Sequence, residues 1–165
     1  MIRPARPDDV PVILRLVREL AEYEKEPEAA VATEAQFHEA LFGGDAVAGA
    51  HIAEHEPQGG GPAIVAGFAL WFRNFSTWTG NPGIYLEDLY VRPEHRGRGY
   101  GKALLKTLAE LCVERGYDRL QWWVLDWNTP SIEFYKSLGA RPMDEWTVFR
   151  LDGEALRELG AAGQG

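Results

Sequence analysis

Cysteine is nearly missing from this chain: Cys112 is the single one among 165 residues. One thiol excludes an internal disulfide and suits a reducing compartment. Long hydrophobic runs are missing as well. The longest, Ala63–Phe72, has ten residues, against the roughly 20 needed to cross a bilayer as a helix. Close to the N-terminus, Pro11 and Arg15 interrupt any apolar core of the signal type, so no targeting segment and a cytoplasmic location are expected. Positive charge is also scarce. Seventeen Lys and Arg face twenty-five Asp and Glu, for a net charge of −8. That balance argues against nucleic acid or an anionic membrane as the main partner. A cationic partner suits such a surface.

What is there is an ordinary core-forming composition, 45% hydrophobic and 25% charged, in a length that matches one domain. Charge is unevenly spread. Between Glu19 and Pro57 ten acids face one base, Lys25, whereas Arg92–Lys106 carries five bases and one acid, Glu94. An acidic first third and a small basic island imply two ligands of opposite charge.

Asp8 as a cap, Pro11 in the first turn, and Val10, Ile13, Leu14, Val17, Leu20 and Ala21 at helical spacing predict a helix over about 9–24. Thr33-Glu34-Ala35-Gln36 has the form of a capping box and opens a second helix that ends near Gly43-Gly44. Ala46–Glu54 and Ala63–Arg73 read as a hairpin, Asn74–Gly83 as a loop and Ile84–Val91 as the next strand. A helix over Gly101–Arg115, a strand Leu120–Leu125, a short helix from Thr129 to Gly139 and a last strand Trp146–Leu151 complete the pattern. The chain is therefore expected to be α/β, with one domain over 1–160 and a short flexible tail at 161–165.

The sharpest signal is Arg96-Gly97-Arg98-Gly99-Tyr100-Gly101, between a predicted strand and a predicted helix. Glycines let the backbone turn tightly and present successive N–H groups to a ligand. The following helix adds its unsatisfied N–H groups and positive dipole end. Arg96, Arg98 and Lys102 add charge, so the turn reads as a diphosphate cradle. It is not a Walker loop, since Lys102 is followed by Ala103 rather than Ser or Thr. Its glycine spacing also differs from the dinucleotide fingerprint.

With Tyr85-Leu86-Glu87-Asp88-Leu89-Tyr90-Val91 before it and Asn128-Thr129-Pro130-Ser131-Ile132-Glu133-Phe134-Tyr135-Lys136 after it, this turn resembles the GNAT superfamily of acyl-CoA-dependent N-acyltransferases. The closer resemblance is to the spermidine/spermine (diamine) and thialysine N-acetyltransferase branch, and it extends from Ile2 to Leu151. It implies a mixed, mostly antiparallel twisted sheet with splayed strands flanked by helices. It also implies acetyl-CoA as co-substrate, a small-molecule amine as acceptor and a homodimer. No metal is expected, since His51 and His55, four apart in a strand-and-turn stretch, do not share a helical face. By the same resemblance the backbone of Leu89, Tyr90 and Val91 meets the acetyl carbonyl and pantetheine arm. Arg96, Gly97, Arg98, Gly99, Tyr100 and Gly101 then hold the pyrophosphate, and Asn128, Tyr135 and Lys136 face the cofactor. A one-residue bulge near Glu87-Asp88 is the family's device for making room.

Acetyl transfer requires an amine that has lost a proton, a stabilised carbonyl oxygen and a proton for the leaving thiolate. An alkylamine of pKa about 10.4 is neutral in only about one molecule in 2,500 at pH 7. Strand alternation sends Glu87 and Asp88 to opposite faces. The resemblance puts Glu87 beside the amine, as proton acceptor through a water. Asp88 either lines the substrate path or is structural. Tyr135, a phenol protonated at pH 7, is the candidate acid for the thiolate. Trp78 offers a face for an alkylammonium, and Glu145-Trp146 resembles a further substrate wall. Ser76 stands where the diamine branch commonly has an acid, and the loop around Glu145-Trp146 is shorter than in that branch. The expected function is thus acetylation of a diamine, polyamine or lysine-like amino acid by direct attack in a ternary complex. The alternatives are a protein N-terminus, a protein lysine or an aminoglycoside-like amine as acceptor, or a non-catalytic acyl-CoA-binding module.

Overall fold

The first helix forms where the apolar spacing begins. In the computed structural model, which describes residues 1–161, α1 runs Val10–Tyr23 and buries Val10, Ile13, Leu14, Leu16 and Leu20 along one stripe. A 3₁₀ turn, Pro7–Asp9, precedes it, so the residue at the helix start is Asp9 rather than the expected Asp8. The capping box forms as expected. Thr33 Oγ1 accepts from the Gln36 N–H, Gln36 Oε1 accepts from the Thr33 N–H, and α2 spans Glu34–Phe42.

Five strands lie side by side in chain order: β1 (Ile2–Pro4), β2 (Gly49–His55), β3 (Ile64–Ser76), β4 (Asn81–Val91) and β5 (Leu120–Trp122). The first four are antiparallel, and β5 joins β4 in parallel. A parallel neighbour needs a crossover, which α3 (Tyr100–Arg115) supplies. On one face Ala50, Ile52, Phe68 and Tyr90 meet Ile13, Leu16 and Leu20 of α1 and Leu41 of α2. The other face lies under α3, which buries Leu104, Leu105, Leu108 and Cys112. Each such aliphatic side chain contributes about 1.5–3 kcal/mol by leaving water.

Several expectations are corrected. Asn74–Gly83 is not a loop: β3 continues to Ser76, β4 starts at Asn81, and only four residues turn between them. Pro and Gly there suggest irregularity, but a positive φ at Gly80 makes the turn tight enough for the ladder to continue through Pro82. β5 stops at Trp122 instead of Leu125. Trp146–Leu151 forms no strand among the described residues, because alternating side chains make a strand only where a ladder partner exists.

The contacts divide the chain into two compact units, the first Met1–Leu125 and the second beginning at Asp126. The second holds α4 (Thr129–Ser137), capped by Asn128 with Pro130 in the first turn, and α5 (Gly153–Ala161). α5 is absent from the sequence reading, which ends in a tail; of that tail, 162–165 lie outside the described residues.

A half-buried ion network ties β1 and β2 to the start of α1. The Arg3 guanidinium donates to both Asp9 oxygens at 2.7 and 2.9 Å and to Glu54 at 2.7 Å. The Arg3 bonds hold the Asp9 carboxyl below the usual carboxylate range against the opposing effect of burial, and the Arg6 N–H helps. A depressed carboxyl pKa adds stability above the unfolded value of about 3.9, and that stability is lost as pH falls through the folded value. Asp9→Asn should therefore cost about 1–3 kcal/mol at pH 7 in urea unfolding, with the gap to wild type shrinking once the pH lies below the unfolded carboxyl value of about 3.9. An equal gap at both pH values would contradict the ion network as its source.

Candidate active site

Strand β4 carries the two halves of the site. In the β3–β4 ladder Trp71 pairs with Leu86 and Leu70 with Asp88, so Glu87 is an extra, bulged residue. The bulge resets the alternation. Asp88 falls on the face of Leu70, Phe68 and Tyr90, under α1. Pairing with β5 covers only Ile84–Leu86 and stops at the same place, so the two strands share no ladder beyond it. This is the splay, and the bulge opens it.

Glu87, Asp88 and Glu24 lie close enough here for charge on one to act on its neighbours. Burial, reinforced by Glu87 and Glu24, pushes the Asp88 carboxyl up to about 7. Burial and then Glu87 raise Glu24, at the C-terminal end of α1. Among the described residues none of the three is in an ion pair. Tyr85 adjoins them; its hydroxyl is held in the protonated form by burial and then by Glu87 and Asp88. Its ring packs between Phe72, at 4.9 Å, and Trp123, at 5.7 Å. The bulge therefore corrects the expectation from alternation: both acids share the neighbourhood of Glu24. Glu24 is the site residue that sequence reasoning passed over. It stands among many helix-end acids, and only the fold singles it out.

Three residues beyond Asp88, β4 ends at Val91, and a 3₁₀ turn over Pro93–His95 leads into the glycine turn. Gly97 and Gly99 have φ of 74° and 83°, and a Cβ at either would meet no protein atom within 4 Å. Gly99 is the N-cap of α3 and no side chain caps that helix, so its first N–H groups face open space. Arg98 and Lys102 are exposed beside them. Arg96 is engaged differently: its Nε donates to the Val91 carbonyl at 2.9 Å, and its guanidinium lies 5.1 Å from the Tyr23 ring and 5.7 Å from the Tyr90 ring. That side chain braces the loop, leaving backbone N–H groups, Arg98 and Lys102 to meet an anion. The open cradle and unsatisfied helix end fit a diphosphate.

The remaining predicted residues are placed as follows. Leu89 and Val91 pair with Ala69 and Gly67 on β3. Trp78 lies on the β3–β4 turn, 80% exposed, and seven residues of strand, about 23 Å, separate Asn81 from Asp88; the first unit does not bring it to the acids. Asn128, in the second unit, is buried and accepts from the Ser131 N–H. Tyr135 is half-buried on α4 with its ring against Phe134. Lys136 is exposed and 3.8 Å from Glu133. Glu145 and Trp146 are exposed. A small polar cleft lined by Asn74, Ser76, Asn81 and Asp118 lies at the far end of the ribbon and holds none of the site groups. Among the described residues no helix is long and apolar enough to cross a membrane.

Residues 13–140 match the model of the Acetyltransferase (GNAT) family. The chain is 45% identical to the thialysine N-epsilon-acetyltransferase of Bos taurus, over 96% of each chain. It is 33% identical to the human spermidine/spermine N(1)-acetyltransferase-like protein 1, over 96% of this chain and 23% of that one. Among solved structures, an integron cassette protein from the mobile metagenome of V. cholerae superposes with a TM-score of 0.76 and 25% identity, covering 98% of this chain and 97% of that one.

Proposed function

Because the chain belongs to the GNAT family of acetyltransferases, we propose that it transfers acetyl from acetyl-CoA to one amine of a small substrate that carries a second cationic group. A diamine, polyamine or lysine-like amino acid is such a substrate, and the thialysine acetyltransferase relative is in keeping with it. The observation that carries the reading is that one strand, β4, leads directly from an unpaired acidic cluster into an open anion cradle.

Bound acetyl-CoA would supply the activated acyl group, held by the N–H groups around Gly97–Gly101 with Arg98 and Lys102. The Val91 peptide N–H, turned out of the β3 ladder because the Arg92 N–H next to it bonds the Ala66 carbonyl, would stabilise charge on the acyl oxygen. The acids cannot all serve the reacting nitrogen, since carboxylates around an ammonium hold its proton on. Asp88 and Glu24, drawn in from β4 and α1, therefore hold the cationic group that stays protonated. Glu87, exposed at the bulge, accepts the proton from the reacting amine through water. Tyr135 holds the proton destined for the sulfur.

The direct test is a panel of amines with thiol release as readout. Diamines or lysine-like amino acids should exceed a monoamine of equal length by about tenfold or more in kcat/KM, about 1.4 kcal/mol for the second charge. Equal values would overturn the assignment of substrate class. Asp88 provides a test independent of turnover. A carboxyl whose pKa is raised by folding destabilises the fold once pH exceeds the unfolded value, with the full cost above about 7. Asp88→Asn should therefore stabilise the protein by about 2–4 kcal/mol at pH 8 and hardly at pH 4, while weakening amine binding. No gain at pH 8 would mean that Asp88 is not held in this acidic surrounding.

A further inference from the structure

The segment Arg96–Gly99 is bracketed by His95 and Tyr100, and one side chain from a distant strand touches both brackets. His55, at the end of β2, has Nδ1 2.9 Å from the Tyr100 hydroxyl. Its ring centroid lies 4.9 Å from that of His95 and 6.2 Å from that of Tyr100. His95 is 8% exposed and its buried Nδ1 has no partner among the described residues. His55 therefore rests against a fixed wall on one side and a hydroxyl on the other. The neighbouring Glu54 is turned away, accepting from Arg3.

We infer that His55 is a positioning residue for the diphosphate cradle, clamping the two ends of the loop by its contacts with His95 and Tyr100. The inference rests on the reading of that loop as a coenzyme A site. Tyr100 is the first residue of α3 and lies in its anion-facing turn, so holding its side chain orders the N–H groups that meet the phosphates. Preorganised donors lose less entropy on binding than mobile ones.

A second consequence follows from charge. Partial burial, then Arg98, His95 and the α-amino group of Met1, hold the His55 ring below its ordinary value. Neutral His55 accepts from the Tyr100 hydroxyl, and protonated His55 donates to it, so the clamp survives in both states. A diphosphate on the loop offsets the field of Arg98 and favours the protonated form. Coenzyme A binding should thus draw a proton onto His55 and tighten as pH falls through the imidazole range around 6.5.

The test is calorimetric titration with coenzyme A in two buffers of different ionisation enthalpy, alongside steady-state kinetics and thermal unfolding. His55→Ala should raise Kd and the KM for acetyl-CoA by about five- to tenfold, the worth of one hydrogen bond, with kcat within about twofold. His55→Asn places an amide oxygen near the Nδ1 position. It should keep near-wild-type affinity at pH 8 yet show less proton uptake than wild type near pH 6.5. If His55→Ala fails to fold, Tyr100→Phe, which removes only the hydroxyl, should show the same rise in Kd. Wild-type affinity in a folded His55→Ala protein, or equal proton uptake in wild type and His55→Asn, would overturn the inference alone. A wild-type protein that binds no coenzyme A would overturn the reading of the loop, and this inference with it.

Discussion

Valine at Gly99 is expected to leave the protein folded and to raise the Kd for coenzyme A by more than about 100-fold, about 2.7 kcal/mol. Two effects add. Gly99 has φ 83° and ψ 6°, a left-handed conformation that costs an L-residue about 1–2 kcal/mol, and a β-branched one more. The loop must either keep that conformation under strain or abandon it, and abandoning it turns the α3 N–H groups away from the phosphates. If the conformation is kept, the new Cβ and its two methyls stand in space that no protein atom occupies within 4 Å. That is the space a phosphate needs in order to reach the peptide nitrogens. The turn is exposed, so the melting temperature should fall by only about 3–8 °C. Calorimetry with coenzyme A on the folded variant decides the matter. Retained affinity would show that the phosphates are held elsewhere.

Tyr135→Phe is expected to lower kcat by about 10²–10⁴-fold with little change in coenzyme A affinity, because a positioned proton donor acts at the transition state. The substitution removes one oxygen and keeps the ring against Phe134, 5.6 Å away in the present structure, so α4 should remain intact. Asn128 supports the same helix from below: its side chain caps α4 by accepting from the Ser131 N–H, and it is 7% exposed. Pre-steady-state measurement of thiol release separates chemistry from product release. Wild-type turnover in the variant would remove Tyr135 from the role of acid.

How much of this was legible beforehand varies with the range of the interaction. The Thr33–Gln36 box, the helix of Val10–Tyr23 and the glycine turn were readable because each depends on residues within a turn or two. The β3–β4 ribbon was misjudged at Asn74–Gly83, where turn-forming residues outvote a ladder that pairs Asn74 with Gly83 and Phe75 with Pro82. Trp146–Leu151 erred the other way, with alternation but no partner among the described residues. In the site, Glu87 and Asp88 stood out by resemblance, whereas Glu24 and His55 did not. Each is one of several like residues in its stretch, and nothing local distinguishes it.

The chemistry available to this protein is written in its order of residues: a glycine turn ahead of a helix, two adjacent acids on a strand, a phenol after an Asn-Thr-Pro start, and a surplus of negative charge. Local sterics and charge suffice to specify these features, since glycine dihedrals, capping and composition need no distant partner. Which of these groups share a neighbourhood is another matter. The bulge at Glu87, the gathering of Glu24 to Asp88, the return of Arg96 onto Tyr23 and Tyr90, and the reach of His55 to Tyr100 all join residues far apart along the chain or depend on strand register. Register and burial are settled by packing of the whole sheet against its helices, so only the tertiary structure decided them.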